Sequence, residues 1–259
     1  MTLALQTFFA LIERDIAVFI PTIKDRLINA LIWCVLSLVV YEYIMPHVGL
    51  VDYSVFMTVG TAATVGFFEV TGNGVSRFMA DLEGERSITY YLTLPLPQWA
   101  VFARIALSNG LQALFIALTF LPISKVLLGS KFSLAAFSWG KFFLIFILAH
   151  IFYGFFSLFL AAYVESLAKM DNVWMRIVYP MWWLGGYQFS WYALLKANIY
   201  IAYLDLLNPL IWILEGVRVS VLGQEGSLPY WQCVVVLTVY TILMGWLGIR
   251  VLMKRLDCL

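Results

Sequence analysis

Charge is what this 259-residue chain has least of. Only 12% of its residues are charged, against 63% that are apolar, and mean hydropathy is +0.91. A soluble domain has roughly a quarter of its residues charged and about half apolar. One globular core cannot hide this much apolar surface, so the bilayer is the solvent that suits it. Net charge is +1, with no basic stripe of the kind nucleic acid needs. Histidine is nearly absent (His47 and His150), and the three cysteines, Cys34, Cys233 and Cys258, lack metal-ligand or disulfide-framework spacing. They read as packing residues. No GxxxxGK[ST], HExxH or GxSxG occurs, which leaves no phosphate loop and no assembled enzyme site.

Long apolar runs take the place of charge. A helix needs about 20 apolar residues to cross roughly 30 Å of hydrocarbon. On that rule the chain is all-α and integral to the membrane, with six spans at about 27–45, 53–75, 99–122, 137–164, 173–194 and 231–252. It forms one domain, 1–259, with an interface segment at 1–26, spans 1–5 over 27–194, an external segment at 195–229, span 6 over 230–252 and a tail at 253–259. Residues 3–20 contain Glu13, Arg14 and Asp15 and so make a poor span. Phe8, Phe9, Ile12, Ile16, Phe19 and Ile20 recur near helical spacing, which predicts an amphipathic helix along the membrane surface, broken by Pro21. No cleavable signal peptide is expected at the N-terminus.

Lys and Arg orient such a chain, because they are retained on the cytoplasmic side. With the N-terminus inside, 11 of the 16 fall on cytoplasmic segments and five (Lys125, Lys131, Lys141, Lys196 and Arg218) fall outside. Six spans then leave both ends cytoplasmic.

Four features go beyond the membrane assignment. Residues 77–98 form the most polar stretch. A short helix from Arg77 to Tyr91 would press Phe78, Leu82 and Ile88 onto the membrane domain and leave Asp81, Glu83, Glu85 and Arg86 for a soluble partner, with Pro95 and Pro97 as its stop. Residues 195–229 are long for a loop and too polar to span twice, which suggests two short helices dipping into the outer leaflet with Asn208-Pro209 between them. Glu215 and Arg218 there share a helix face; a pair that holds the hairpin together is favoured over substrate contact. Glu69 lies deep in the second span and is expected to snorkel or pair with Arg77 or Arg104, or to serve function. Aromatics crowd the fifth span: Trp174, Tyr179, Trp182, Trp183, Tyr187, Phe189, Trp191 and Tyr192. Interfacial belts account for most; Tyr179, Trp182, Trp183 and Tyr187 are candidates for a pathway wall.

These pieces together resemble the permease subunits of ABC type-2 exporters. An N-terminal helix with Arg14-Asp15 precedes the first span, and Tyr53…Phe56…Gly60…Ala63 opens the second as in the nodulation-factor branch. The run through Arg86 to Leu94-Pro95-Leu96-Pro97 is similar to that family's coupling helix and proline motif. Asn208-Pro209-Leu210, Glu215, Arg218 and Gly223 are similar to its external hairpin. The resemblance covers essentially the whole chain. It departs at Ala103-Arg104, where many relatives carry Gly-Glu. It implies a homodimer in a bacterial inner membrane, engaged by two copies of a cytoplasmic ABC ATPase that bind the ATP and Mg, with no cofactor on this chain. Glu13, Arg14 and Asp15, with the coupling stretch Asp81, Leu82, Glu83, Gly84, Glu85 and Arg86, would receive the ATPase movement. First and fifth spans would face each other across the dimer axis. The expected cargo is an amphiphile such as a lipid or lipid-linked glycan. A drug or peptide is the alternative cargo. A lipid-modifying membrane enzyme using Glu69, His150 or Asp205, and a scaffold without transport, are the alternatives of other classes.

Overall fold

The computed structural model describes residues 3–49, 53–84 and 86–256, and these contain helices and no strand. Glu85 and Cys258 lie outside the described residues. The chain opens with α1 (Leu3–Phe19) and α2 (Ile23–Val39). A single tight turn, Ile20–Thr22, joins them, and Pro21 occupies its start. Pro21 therefore does not break the helix: a helix start has no use for the N–H that proline lacks. Helical backbone runs from Leu3 to Val48, 46 residues. That is roughly 70 Å of helix, over twice the hydrocarbon thickness, so part of it must lie outside the apolar layer.

Next come α3 (Tyr53–Glu83), α4 (Ser87–Tyr91), α5 (Gln98–Leu128) and α6 (Trp139–Tyr163). A helical stretch over 170–184, α7, follows. Three short helices come after it, α8 (Trp191–Ala197), α9 (Ile199–Asp205) and α10 (Pro209–Leu222), and then α11 (Tyr230–Leu256). Among the described residues five helices are long and apolar enough to cross a membrane, or six if α9 and α10, bent by 91° at their junction, are one crossing.

The fifth expected span, 173–194, is not one helix. Gly185 and Gly186 end α7, and Gly186 sits at φ +79°, a conformation that L side chains rarely adopt. The backbone stays irregular to Ser190, whose side chain caps α8 by accepting from Ala193 N–H at 3.3 Å.

α6 forms the spine, packed against α5 on one side and α11 on the other, with α10 inserted between α3, α6 and α11. Backbones approach closely along the α5–α6 seam. A Cβ on Gly154 would lie 2.1 Å from the Ala106 carbonyl oxygen, and one on Gly110 2.4 Å from that of His150. In lipid no hydrophobic force draws helices together, so close backbone contact at small residues contributes much of the association. His150 itself is buried and directs Nδ1 to the Phe146 carbonyl at 2.7 Å, a packed core histidine.

Basic residues lie at both ends of the bundle, and Arg218, counted among the external ones, is instead buried within it. One end holds Arg14, Arg104 and Arg255, the last donating to the Val164 carbonyl at 2.7 Å. The opposite end holds Lys125, Lys131 and Lys141, with Lys131 paired to Glu42.

Gly154→Ala is expected to cost about 1–3 kcal/mol by overpacking this seam, whereas Gly140→Ala, where a Cβ meets nothing within 4 Å, is expected to cost nothing measurable. Thermal unfolding of both variants in detergent checks the contrast.

Candidate functional site

Three groups of sequence-predicted residues occupy three places. At one end of the bundle the side chains of α1, α4 and α5 form a tied corner. Arg104, 3% exposed, makes an ion pair with Asp15 of α1. Arg14, one residue earlier, donates to the Tyr91 hydroxyl at the end of α4. The Tyr91 ring also receives both guanidinium groups, with Arg14 5.1 Å and Arg104 4.9 Å from its centroid. Leu11 packs beside them on Tyr91 and Val101. The buried face of α1 thus runs through Leu11 and Phe19, while Phe9, Ile16 and Ile20 stay exposed. Exposed apolar residues are what a helix lying along a membrane surface presents to lipid, while Arg14 and Asp15 hold it to α4 and α5. Glu13 is exposed.

The coupling stretch is two helices rather than one. α3 ends at Glu83, and α4 begins after Arg86, which takes φ +53°. Asp81 closes this turn from within. Its carboxylate accepts from the N–H groups of Ser87 and Ile88, each at 3.0 Å, and from the Ser87 hydroxyl. Asp81 is therefore a capping residue and not a free acid for a partner, a correction that follows from the need of α4's first N–H groups for acceptors. Phe78 and Ile88 are buried and Leu82 half-buried, as the apolar spacing predicts. Glu83, Gly84 and Arg86 are exposed, and Glu83 accepts from the Leu167 N–H at 2.7 Å.

Glu69 pairs with Arg26 of α2 and accepts from Asn73 at 3.0 Å. Its expected partners, Arg77 and Arg104, are engaged elsewhere: Arg77 donates to the Asn73 carbonyl and to Gln112. The position of Arg26 at the start of α2, a helix contiguous with α1, was not legible before α1 and α2 were seen as one rod.

Deeper in the bundle, Glu215 and Arg218 hold the irregular segments. Arg218, fully buried, donates to the carbonyls of Gly186 at 2.6 Å, Tyr187 at 2.7 Å and Phe189 at 3.3 Å. Its guanidinium lies 3.6 Å from the Phe56 ring centroid. A Cβ on Gly60 would lie 3.1 Å from Nη2, so the small residue on α3 makes room for it. Glu215, also fully buried, accepts from the N–H of Trp191 at 3.1 Å and of Leu228 at 2.9 Å, and stands 3.8 Å from Arg218. Asn208 caps α10 by accepting from Leu210 N–H at 3.1 Å, and its amide reaches back to the Met181 carbonyl at 2.7 Å. Pro209 takes the first helical turn. Glu215 and Arg218 were expected to hold the 195–229 hairpin together; apart from Leu228, the backbone they bind lies before it, at 186–191.

The four aromatic pathway candidates divide. Tyr187 is buried, with its hydroxyl 3.0 Å from Thr61 on α3, and Trp183 is exposed. Tyr179 and Trp182 line a cavity of about 290 Å³ with Trp33, Val65, Phe68 and Trp174, its wall almost wholly apolar. Trp174 stacks on Phe68 at 6.1 Å, and Trp182 meets Phe68 edge-on at 5.3 Å. Trp33 and Phe68 were missed, because only the fold brings α2 and α3 against α7. Among the described residues no three His, Cys, Asp or Glu side chains converge to hold a metal ion.

A family model described as ABC-2 type transporter matches residues 6–222. This match covers the tied corner, the cavity and the clamp. The chain therefore belongs to the ABC-2 type transporters, a family of membrane permease components, and membership implies association with an ABC ATPase subunit. Comparison with curated proteins, and separately with solved structures, gives no match.

Arg218→Met strips two buried carbonyls, a half-buried one and Glu215 of their partner and is expected to destabilise by about 3–5 kcal/mol. Glu215→Gln on that background is expected to add less than it does alone, since the two share one network. Unfolding of both single variants and the double variant checks the coupling.

Proposed function

We propose that this chain is the permease of an ATP-driven exporter in a bacterial inner membrane, working as a homodimer with two copies of a cytoplasmic ABC ATPase. ATP and Mg sit on the ATPase. Both chain ends face the cytoplasm. The cargo is an amphiphile of the lipid or lipid-linked glycan class.

The observation that carries this reading is the tied corner. Arg104–Asp15 and Arg14–Tyr91 join α1 and α4, two outlying helices, to α5, a long apolar one. A push on either outlying helix reaches α5 through charged contacts within a hydrogen-bond length, with no loop to absorb it. Glu83 and Arg86, exposed beside this corner, offer charges to a soluble partner. Glu13 is exposed on α1 itself. Glu85 belongs to the same charged run, outside the described residues. The side of the bundle with most Lys and Arg is also the side of the corner, and the positive-inside bias assigns it to the cytoplasm.

The cavity lined by Trp33, Phe68, Trp174, Tyr179 and Trp182 supports this cargo class. An apolar, aromatic wall suits an acyl chain or another amphiphile better than an ion. Broad apolar faces flank it, with Ile32, Leu36 and Tyr43 exposed on the rod of α2 and Met175 and Trp183 on α7. A second copy meeting the first across these faces would enclose the cavity and form the path. Closure of the ATPase pair would press both corners inward and shift the rods against each other.

Tagged protein extracted from its native membranes in mild detergent is expected to bring an ATPase with it, detected as ATP hydrolysis in the eluate. Glu83→Lys is expected to lower the hydrolysis retained severalfold while the permease yield stays unchanged. Elution of the intact permease alone contradicts the reading.

A further inference from the structure

Where α1, α3, α4 and α5 meet, a cleft of about 210 Å³ opens beside the tied corner, and Arg14, Arg77 and Arg104 line it together with Tyr91 and Asn109. Its charges do not cancel. Two acids line it, Asp15 and Asp81. Asp15 is taken by Arg104, and Asp81 is occupied by the N–H groups and hydroxyl at the start of α4. Arg77 has only neutral acceptors, the Asn73 carbonyl at 3.1 Å and the Gln112 amide oxygen at 3.2 Å. Arg14 has the Tyr91 hydroxyl and ring. Neither makes an ion pair among the described residues. Arg104 is 3% exposed, and its Nε–H has no acceptor among the described residues. A buried, unpartnered guanidinium N–H is costly and marks a missing acceptor.

We propose that this cleft binds one phosphate group, that of an anionic lipid. Guanidinium forks match phosphate oxygens in geometry and charge. The polar, arginine-lined cleft of about 210 Å³ suits a headgroup rather than an acyl chain. The apolar surroundings favour a lipid over free phosphate. Val18 lines the cleft while 60% exposed, and Ile16 on the same helix and Ile20 in the turn after it are also exposed, a surface along which an acyl chain can lie. A bound headgroup would bridge α1 to α3 and α5, stiffening the corner without touching the cavity among Trp33, Phe68 and Trp174. The inference concerns binding and stands apart from whether the chain transports.

The full chain is purified in micelles with phosphatidylglycerol and phosphatidylcholine in equal amounts, and retained lipids are counted by native mass spectrometry. Wild type is expected to keep phosphatidylglycerol in preference. Arg77→Gln and Arg14→Gln are each expected to weaken its retention about tenfold, the loss of one charge-assisted contact. Arg77→Lys, which keeps the charge, is expected to hold most of it and guards against a folding defect. Lys254→Gln, at another cationic position of the same end, is expected to change nothing. Displacement of the lipid by millimolar inorganic phosphate assigns the site to the phosphate group alone, and resistance to it assigns the site to the lipid as a whole. Equal retention by wild type and both glutamine variants overturns the proposal.

Discussion

Irregular backbone within an apolar bundle needs hydrogen-bond partners that neither lipid nor aliphatic side chains supply. Here two fully buried residues on one helix, Glu215 and Arg218, supply them in opposite senses. Arg218 serves carbonyls at the break after α7, and Glu215 serves the N–H groups that start α8 and precede α11. Each would be prohibitive alone, and each completes the other at 3.8 Å. The break after α7, the start of α8 and the seating of α10 at the centre of the bundle depend on this clamp.

The other polar contacts do a different task. Arg104–Asp15, Arg26–Glu69 and Arg14–Tyr91 each join the rod of α1 and α2 to the bundle formed by α3, α4 and α5. Arg104–Asp15 and Arg14–Tyr91 flank the cleft, and none of the three contacts lines the apolar cavity of α2, α3 and α7. The charged contacts and the apolar aromatic wall are thus spatially separate. Under the proposed function, that separation would let ATPase engagement alter the relation of the rods without polar side chains entering the path.

Much of this was legible in the residues. Runs of apolar residues located the starts of α3, α5, α6 and α11 within two positions, while α3 and α5 run on past their expected ends, because apolar composition sets the crossing and not the helical extension beyond it. Asn208-Pro209 located the bend for a local reason, an N-cap followed by a residue suited to the first turn. The fifth span was misread because Trp174 to Leu194 is apolar enough to cross, while its interruption at Gly186 rests on a partner, Arg218, 32 residues away. Asp81 was misread for a related reason: an acid in a polar stretch looks available until the turn it closes is seen. Tyr91 gave no signal, since its role comes from two arginines on separate helices.

The central claim is that α1 and α5 move as one body while the faces of α2 and α7 move relative to those of a second copy. Pulsed electron spin resonance distances between labels at Phe9 and Trp99, both exposed, test it directly in the complex with its ATPase. A third label site, Met175, reports across the pair of permeases. The account predicts an unchanged Phe9–Trp99 distance between the nucleotide-free and the ATP-trapped states, together with a shifted Met175–Met175 distance. A Phe9–Trp99 distance that changes while Met175–Met175 stays fixed would contradict it.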